Sequence, residues 1–319
     1  MKIVLYPPVE EALMDPVRQA APDAEVVMPD KDTVMAALSD AEVLFGSSSP
    51  EILRAAPGLK WIQSTSAGMD GRMIPEIVDT DIRISNASGV HAIQVAEHAW
   101  ALTAALFRGL HTAFRNQLAH KWQRAPHSDL YGATVGIIGF GGIGRHYAKL
   151  AQGYELRILA LDIQGGHKPD YVEALWDMDR LDDVLETSDV VFIACPNTDQ
   201  TRHLVNARTL GKMKSTAFLV NTARGGIVDQ AAITNALKAG VIAGAGLDVF
   251  EEEPLPADSP LWDMKNVIIT PHLGGGSPNR NRRLIAFFCK NLERYLAGEP
   301  LYNEVDKTLG YPLLERMLI

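Results

Sequence analysis

Three apolar runs of the 319-residue sequence end in ionisable side chains. "TAFLVNTARGG" puts Arg224 just after the first, and "AGAGLDVFEEEPLP" puts Asp248 at the end of the second and Glu253 before Pro254. "NVIITPHLGGG" puts His272 after the third. An imidazole can give or take a proton near neutral pH, with a carboxylate as its partner. The planar fork of arginine can hold a carboxylate with two hydrogen bonds, which lysine cannot do. Together these types suit proton transfer on an anionic substrate. Each has an ordinary reading as well: Arg224 as the cap of a turn, Glu251 to Glu253 as a solvated acidic run, His272 as a strand-end residue bonded to backbone. Three such features at successive strand ends favour chemistry for Arg224, His272 and a carboxylate of the run Glu251 to Glu253.

The elements that must hold these residues follow from the apolar pattern. Short β-branched runs alternate with helical patterns almost throughout, as in parallel α/β proteins. In the first ninety residues strands are expected at "KIVLYP", "AEVVMP", "AEVLFGS", "LKWIQSTS" and "DIRISN", with helices such as "EEALMDPVRQAA" and "DTVMAALSD" between them. A second series begins at "TVGIIG" and continues through "LRILALD", "DVVFIACP", "TAFLVNTA", "IAGAGLDVF" and "NVIITPH". One long amphipathic helix is expected over residues 91–118, with Val95, Ala99, Leu102 and Leu106 on one side, and another over 281–300, ended by Gly298 and Pro300. The fold class is α/β, with two doubly wound parallel sheets. Residues 97–277 form an inserted dinucleotide-binding domain, and residues 1–96 with 278–319 form the other domain. Crossings near 92–98 and 276–282 would be hinges around a cleft.

The second series opens with Gly139-x-Gly141-x-x-Gly144, a weak signal alone but set here between a strand and a helix. Gly139 permits the tight turn, Gly141 lets backbone approach a pyrophosphate, and Gly144 lets helix pack on strand. The helix opens with Gly142 and Ile143, whose N–H groups and partial positive charge suit phosphate. Asp162 ends the next strand eighteen residues past Gly144, where a carboxylate can bind the two ribose hydroxyls of NAD and repel the 2′-phosphate of NADP. No Arg follows Asp162 directly, which favours NAD, but His167 and Lys168 come soon after and leave NADP open.

The glycine loop, "NTARGGIVD", "GLDVFEEEPLP" and "ITPHLGG", in this order, resemble the D-isomer-specific 2-hydroxyacid dehydrogenases, which include glyoxylate/hydroxypyruvate reductases. The weaker "LKWIQSTSAGMD" extends the likeness toward the N-terminus, and the strongest matches run from about 134 to 276. The resemblance implies a Rossmann NAD-binding domain inserted into a flavodoxin-like substrate domain. It makes His272 the general acid/base, Glu253 its carboxylate partner, and Arg224 the group that binds and polarises a 2-oxo acid; because the family's acid stands immediately before Pro, Glu251 and Glu252 keep the solvated reading. It places Asp248 near the nicotinamide carboxamide, Pro196 on the adenine–ribose side, and Thr222 and Ala223 by the nicotinamide ribose. Gly274 and Gly275 would let the chain pass close to the nicotinamide, and Gly276 would begin the second hinge. Ala67 and Gly68 would hold the substrate carboxylate through backbone N–H groups. The implied activity is reversible reduction of a small 2-oxo acid to the D-2-hydroxy acid, in a homodimer built partly on the long helix. The same fold and residues occur in NAD(H)-sensing co-repressors, which leaves a binding protein with little turnover as the alternative. Formate dehydrogenases use Gln where Glu253 stands.

Composition sets outer bounds. A net charge of −9 argues against a phosphate-backbone-binding surface, and no apolar run approaches the ~18 residues of a membrane span. Cys195 and Cys289 lack metal-type spacing and read as buried free thiols in a reducing compartment, so a cytoplasmic location is expected. His91, His98, His111 and His120 lack clustered ligand partners and read as surface or interface histidines, with no metal site. Ser47, Ser48 and Ser49 suit either a cleft or a solvated loop. The Asp162 assignment has a direct check. Asp162→Ala is expected to narrow the preference for NAD over NADP, measured as the ratio of kcat/KM for the two cofactors; an unchanged ratio contradicts it.

Overall fold

A computed structural model describes residues 1–69 and 71–317. The chain forms two compact units, residues 1–91 with 277–319 and residues 92–276. The second unit starts at Ala92, where the long helix begins, rather than at 97. Asp70, at the end of the SAGMD stretch, lies outside the described residues.

The main sheet of the first unit has five strands, β1 (Lys2–Tyr6), β2 (Glu25–Val27), β3 (Val43–Gly46), β4 (Trp61–Ser64) and β5 (Arg83–Ser85). They lie in the order β2-β1-β3-β4-β5, and every pair is parallel. The core of this unit is completed by the far end of the chain. On the helix Arg280–Leu296, Phe288 packs 5.1 Å from the ring of Phe45 and 5.3 Å from that of Trp61. Buried Asn291 on the same helix donates to Gln63 on β4.

The second unit holds seven strands: β6 (Thr134–Ile138), β7 (Arg157–Leu161), β8 (Ala174–Trp176), β9 (Val190–Ile193), β10 (Phe218–Asn221), β11 (Gly244–Leu247) and β12 (Val267–Ile269). Their order is β12-β11-β10-β9-β6-β7-β8, all parallel. The chain leaves β6 for β7 and β8 on one side and then returns for β9 on the other, so the order reverses between β6 and β9. Ligands bind outside the carboxyl ends of strands at such a point. Every residue of β6 and β9 is buried, which is why these strands read as unbroken apolar runs. Alternate side chains feed two cores: Val135 and Ile137 pack with the helix Ala92–Phe107, and Ile138 packs on the opposite face with Leu161 and Val191. The three-residue β8, at the sheet edge, was too short to be expected from sequence.

The expected helix over 91–118 is two helices, Ala92–Phe107 and Leu110–Leu118. Gly109 breaks it, because it takes the left-handed conformation (φ 64°) and a Cβ there would lie 2.2 Å from the carbonyl oxygen of Pro126. The expected face holds: Val95, Ala99, Leu102 and Leu106 are all buried. The two cysteines are free but only half-buried rather than fully so, and desolvation pushes their thiols up to about 12 for Cys195 and about 11 for Cys289. Ser49 is spent on structure, since its hydroxyl caps the helix Pro50–Ala55 by accepting from the Ile52 N–H. Among the described residues, no helix is long and apolar enough to cross a membrane.

Candidate active site

The ionisable residues meet at one edge of the seven-stranded sheet because three strands end in register. β10, β11 and β12 are neighbours, and Asn221, Leu247 and Ile269 lie in one row across them. Arg224 follows three residues past the end of β10, Asp248 directly after β11, and His272 three residues past the end of β12. Glu253 follows Asp248 on the loop after β11, and its Oε2 lies 2.7 Å from Nδ1 of His272. Its other oxygen, Oε1, accepts the Phe250 N–H at 3.0 Å, so the carboxylate is fixed at both ends. A carboxylate can only accept, so this contact places a proton on Nδ1 of His272.

His272 itself sits in the left-handed region, at φ 54°. For a side chain with a Cβ this conformation costs about 1–3 kcal/mol and persists only where its surroundings over-determine it. Here they do. The His272 N–H donates to the Asp248 carbonyl at 2.9 Å. Oδ1 of Asp248 accepts the Leu273 N–H at 2.8 Å, and Oδ2 accepts the Gly274 N–H at 2.9 Å. Oδ1 also accepts the Thr270 hydroxyl at 2.5 Å and lies 3.2 Å from Nε2 of His98. Burial alone pushes the Asp248 carboxyl up, but the bonds from His98, Thr270, Gly274 and Leu273 outweigh it and hold the group below the usual carboxylate range. Asp248 has no exposed surface, and its side chain shapes the turn after β12. His98, expected to be a bystander, is its partner. Gly274 is needed for the same contact, since a Cβ there would lie 3.0 Å from Asp248 Oδ2, whereas a Cβ on Gly275 would meet open space.

Arg224 follows a buried hinge of its own. Asn221 donates to the Arg224 carbonyl at 2.9 Å and accepts the Ala223 N–H at 3.0 Å, and the guanidinium donates to the Ala223 carbonyl at 2.7 Å. The next residue, Gly225, lies so near the Phe250–Glu251 backbone that a Cβ would come within 1.9 Å of it. The loop carrying Arg224 is therefore pressed against the loop carrying Glu253. Glu251, expected to be idle, reinforces this junction. Its Oε1 lies 2.6 Å from Nε2 of His203, and its N–H donates to Gln230 at 3.1 Å. The His203 N–H in turn donates to the carbonyl of Gly226.

At the reversal point, the glycine loop fits a dinucleotide. Gly139 takes φ 96° and would clash with the Cys195 backbone if it carried a Cβ, and a Cβ on Gly144 would lie 2.2 Å from the Gly139 carbonyl oxygen. Internal packing thus explains both glycines. At Gly141 a Cβ would meet no protein atom within 4 Å, which leaves the backbone there open to the close approach of a pyrophosphate. The helix Gly142–Gln152 has no side-chain cap, which leaves the first-turn N–H groups of Gly142 and Ile143 to a phosphate. Asp162 reaches back to this loop: its Oδ2 accepts the Phe140 N–H at 2.7 Å and its Oδ1 accepts the Gln164 N–H at 2.8 Å. Pro196 follows β9, with its carbonyl accepting from Thr201. The hydroxyl of Thr222 and Nε of Arg145 are buried without a hydrogen-bond partner, as groups awaiting a polar ligand would be. Sequence reasoning missed Arg145, whose guanidinium stacks 4.6 Å over Phe140. In the first unit, the half-buried Ala67–Gly68 turn follows β4 and is held by Asn86, which donates to the Ala67 carbonyl at 2.6 Å.

Comparison with known proteins identifies the family. Residues 100–274 match the model of the D-isomer specific 2-hydroxyacid dehydrogenase NAD binding domain. The chain belongs to that family. The D-2-hydroxyacid dehydrogenases are NAD(P)-dependent oxidoreductases, and this chain is one of them. It is 36% identical over 300 residues to a glyoxylate reductase of Thermofilum pendens, covering 92% of this chain and 84% of that one. A glyoxylate reductase of Korarchaeum cryptofilum is 36% identical over 290 residues, covering 88% and 87%. The solved NADPH-dependent glyoxylate/hydroxypyruvate reductase of Sinorhizobium meliloti, in complex with NADP and sulfate, aligns with a TM-score of 0.85 at 27% identity, over 97% of this chain and 99% of that one.

The buried carboxylate gives the dehydrogenase a pH signature. Because the folded Asp248 carboxyl is held low, its contribution to stability is present above the unfolded value of ~3.9 and is lost as pH falls through the folded value. Asp248→Asn is expected to cost roughly 1–3 kcal/mol at pH 7. Urea unfolding should show the gap to wild type narrowing as pH drops toward 3.5, and a gap that widens refutes the assignment.

Proposed function

We propose that this dehydrogenase reduces a small 2-oxo acid of the glyoxylate or hydroxypyruvate kind to its D-2-hydroxy acid, reversibly, with NAD as the preferred cofactor. The observation that carries the proposal is the His272–Glu253 pair, 2.7 Å apart at the strand ends beside the dinucleotide loop. Bound NADH supplies the hydride for the substrate's carbonyl carbon. His272 gives its Nε2 proton to the developing alkoxide, and Glu253 keeps the ring oriented by holding Nδ1–H. Arg224 binds the substrate carboxylate and polarises the carbonyl beside it. In the first unit, Ala67 and Gly68 are proposed to offer backbone N–H groups to a carboxylate, where small side chains permit close approach. On the cofactor side, the N–H groups of Gly142 and Ile143 hold the pyrophosphate, Asp162 the adenosine ribose, and Pro196, Thr222 and Ala223 line the remaining length.

A homodimer and a cytoplasmic location belong to the same proposal. Leu110, Phe114 and Leu118 recur at four-residue spacing on one helix face and are 41%, 59% and 83% exposed, an apolar stripe suited to a second copy of the chain. The two half-buried free thiols support a reducing compartment.

The test is oxidation of NADH and NADPH, in parallel, across a panel of 2-oxo acids. Turnover of glyoxylate or hydroxypyruvate is expected, faster with NADH. His272→Ala and Arg224→Ala should each lower kcat/KM on the best substrate by at least ~10². Near-wild-type kinetics in both variants refute the mechanism, and cofactor binding without any turnover would favour a sensor.

A further inference from the structure

His98 lies on the helix Ala92–Phe107, and its ring reaches the end of the sheet. Nε2 is 2.9 Å from the hydroxyl oxygen of Thr270 and 3.2 Å from Oδ1 of Asp248. The proton on Thr270 is spent on Asp248, at 2.5 Å, and a carboxylate can only accept. Both neighbours of Nε2 are therefore acceptors, and His98 must carry its proton there and share it between them. This donor is neither part of the glycine loop nor in contact with His272. It nonetheless acts on the oxygen that accepts the Leu273 N–H, one atom away from the oxygen that accepts the Gly274 N–H.

We propose that His98 is a positioning residue for the dehydrogenase reaction: by donating to Asp248 and Thr270, it holds the turn of residues 272–274 in the conformation that presents His272. The physical chain is short. Asp248 is a fully buried carboxylate, which is costly unless each oxygen is well supplied with donors. His98 and Thr270 are the two side chains that supply Oδ1. Without His98, the carboxylate keeps its charge with one donor fewer and Thr270 loses a donor as well, so the group shifts or admits water. Its two backbone clients then loosen. His272, at φ 54°, holds an unfavourable backbone conformation only while those bonds persist. A loosened turn swings the Nε2 proton away from the line of transfer, which lowers the chemical step more than it weakens substrate binding, because the carboxylate clamp at Arg224 sits on another loop.

The proposal rests on the 2-oxo-acid reductase reading, and its test therefore includes a measurement that needs no turnover. His98→Phe keeps a ring and removes the donor, whereas His98→Gln restores an N–H at a similar reach. In His98→Phe, kcat is expected to fall about tenfold or more with KM changed less than about threefold. Hydrogen exchange at the Leu273 and Gly274 amides should quicken by about tenfold or more, while amides of β6 stay at wild-type rates. His98→Gln should recover most of both effects, and His98→Phe should add nothing in an Asp248→Asn background. Unchanged exchange at the two amides, a uniform rise across the whole sheet with kcat intact, or failure of His98→Gln to recover either effect would overturn the proposal. If the wild-type protein reduces no 2-oxo acid, the functional reading fails and amide exchange alone decides the role of His98.

Discussion

The buried carboxylate of Asp248 is the contact on which the arrangement at the sheet end depends. It stands directly after β11 and binds the chain after β12 by side chain and main chain together, to Thr270, His272, Leu273 and Gly274. A histidine at positive φ is an unfavourable element, and several short bonds to one immobile group outweigh its cost. The loop that begins at Asp248 also carries Glu253, the partner of His272. One residue thus fixes the relation between a proton-carrying ring and the carboxylate that orients it.

The rest of the second unit can be understood as what keeps that contact in place. Parallel strands in register bring Asn221, Leu247 and Ile269 to one level, so three loops rise from a common edge. Gly225 lets the Arg224 loop touch the backbone of the Glu253 loop, and the His203–Glu251 pair pins the same junction from outside. The dinucleotide loop lies where the strand order reverses, farther along the same row of carboxyl ends. Rigid sheet positions and short, heavily bonded loops are what a hydride-transfer site needs, because small displacements of a reacting group cost rate steeply.

Much of this was legible in the sequence, for physical reasons that differ by residue. The strands announce themselves because both faces of β6 and β9 are buried and allow no polar alternation. Gly139 and Gly144 were legible because a tight turn between strand and helix leaves no room for a Cβ at either position. Arg224, Glu253 and His272 were legible because their strands end in order. What escaped was pairing across long sequence separations. His98 and Asp248 are 150 residues apart, and a lone histidine on a helix carries no sign of its partner. Glu251 and His203 are 48 apart, and Glu251 read as part of a solvated run. The break at Gly109 depends on the Pro126 carbonyl packed against it, which local periodicity cannot report. The burial of Asp248 is likewise a property of the fold and not of its neighbours in sequence.

Glu253, 2.7 Å from Nδ1 of His272, is proposed to hold the proton there and leave Nε2 to exchange a proton with substrate. Nitrogen-15 NMR of histidine-labelled protein, with His272 assigned by its absence in His272→Gln, measures this directly. The account predicts that the neutral ring is the Nδ1–H tautomer in the wild type and loses that preference in Glu253→Ala. A neutral His272 found as the Nε2–H tautomer, or a ring indifferent to the removal of Glu253, would contradict it.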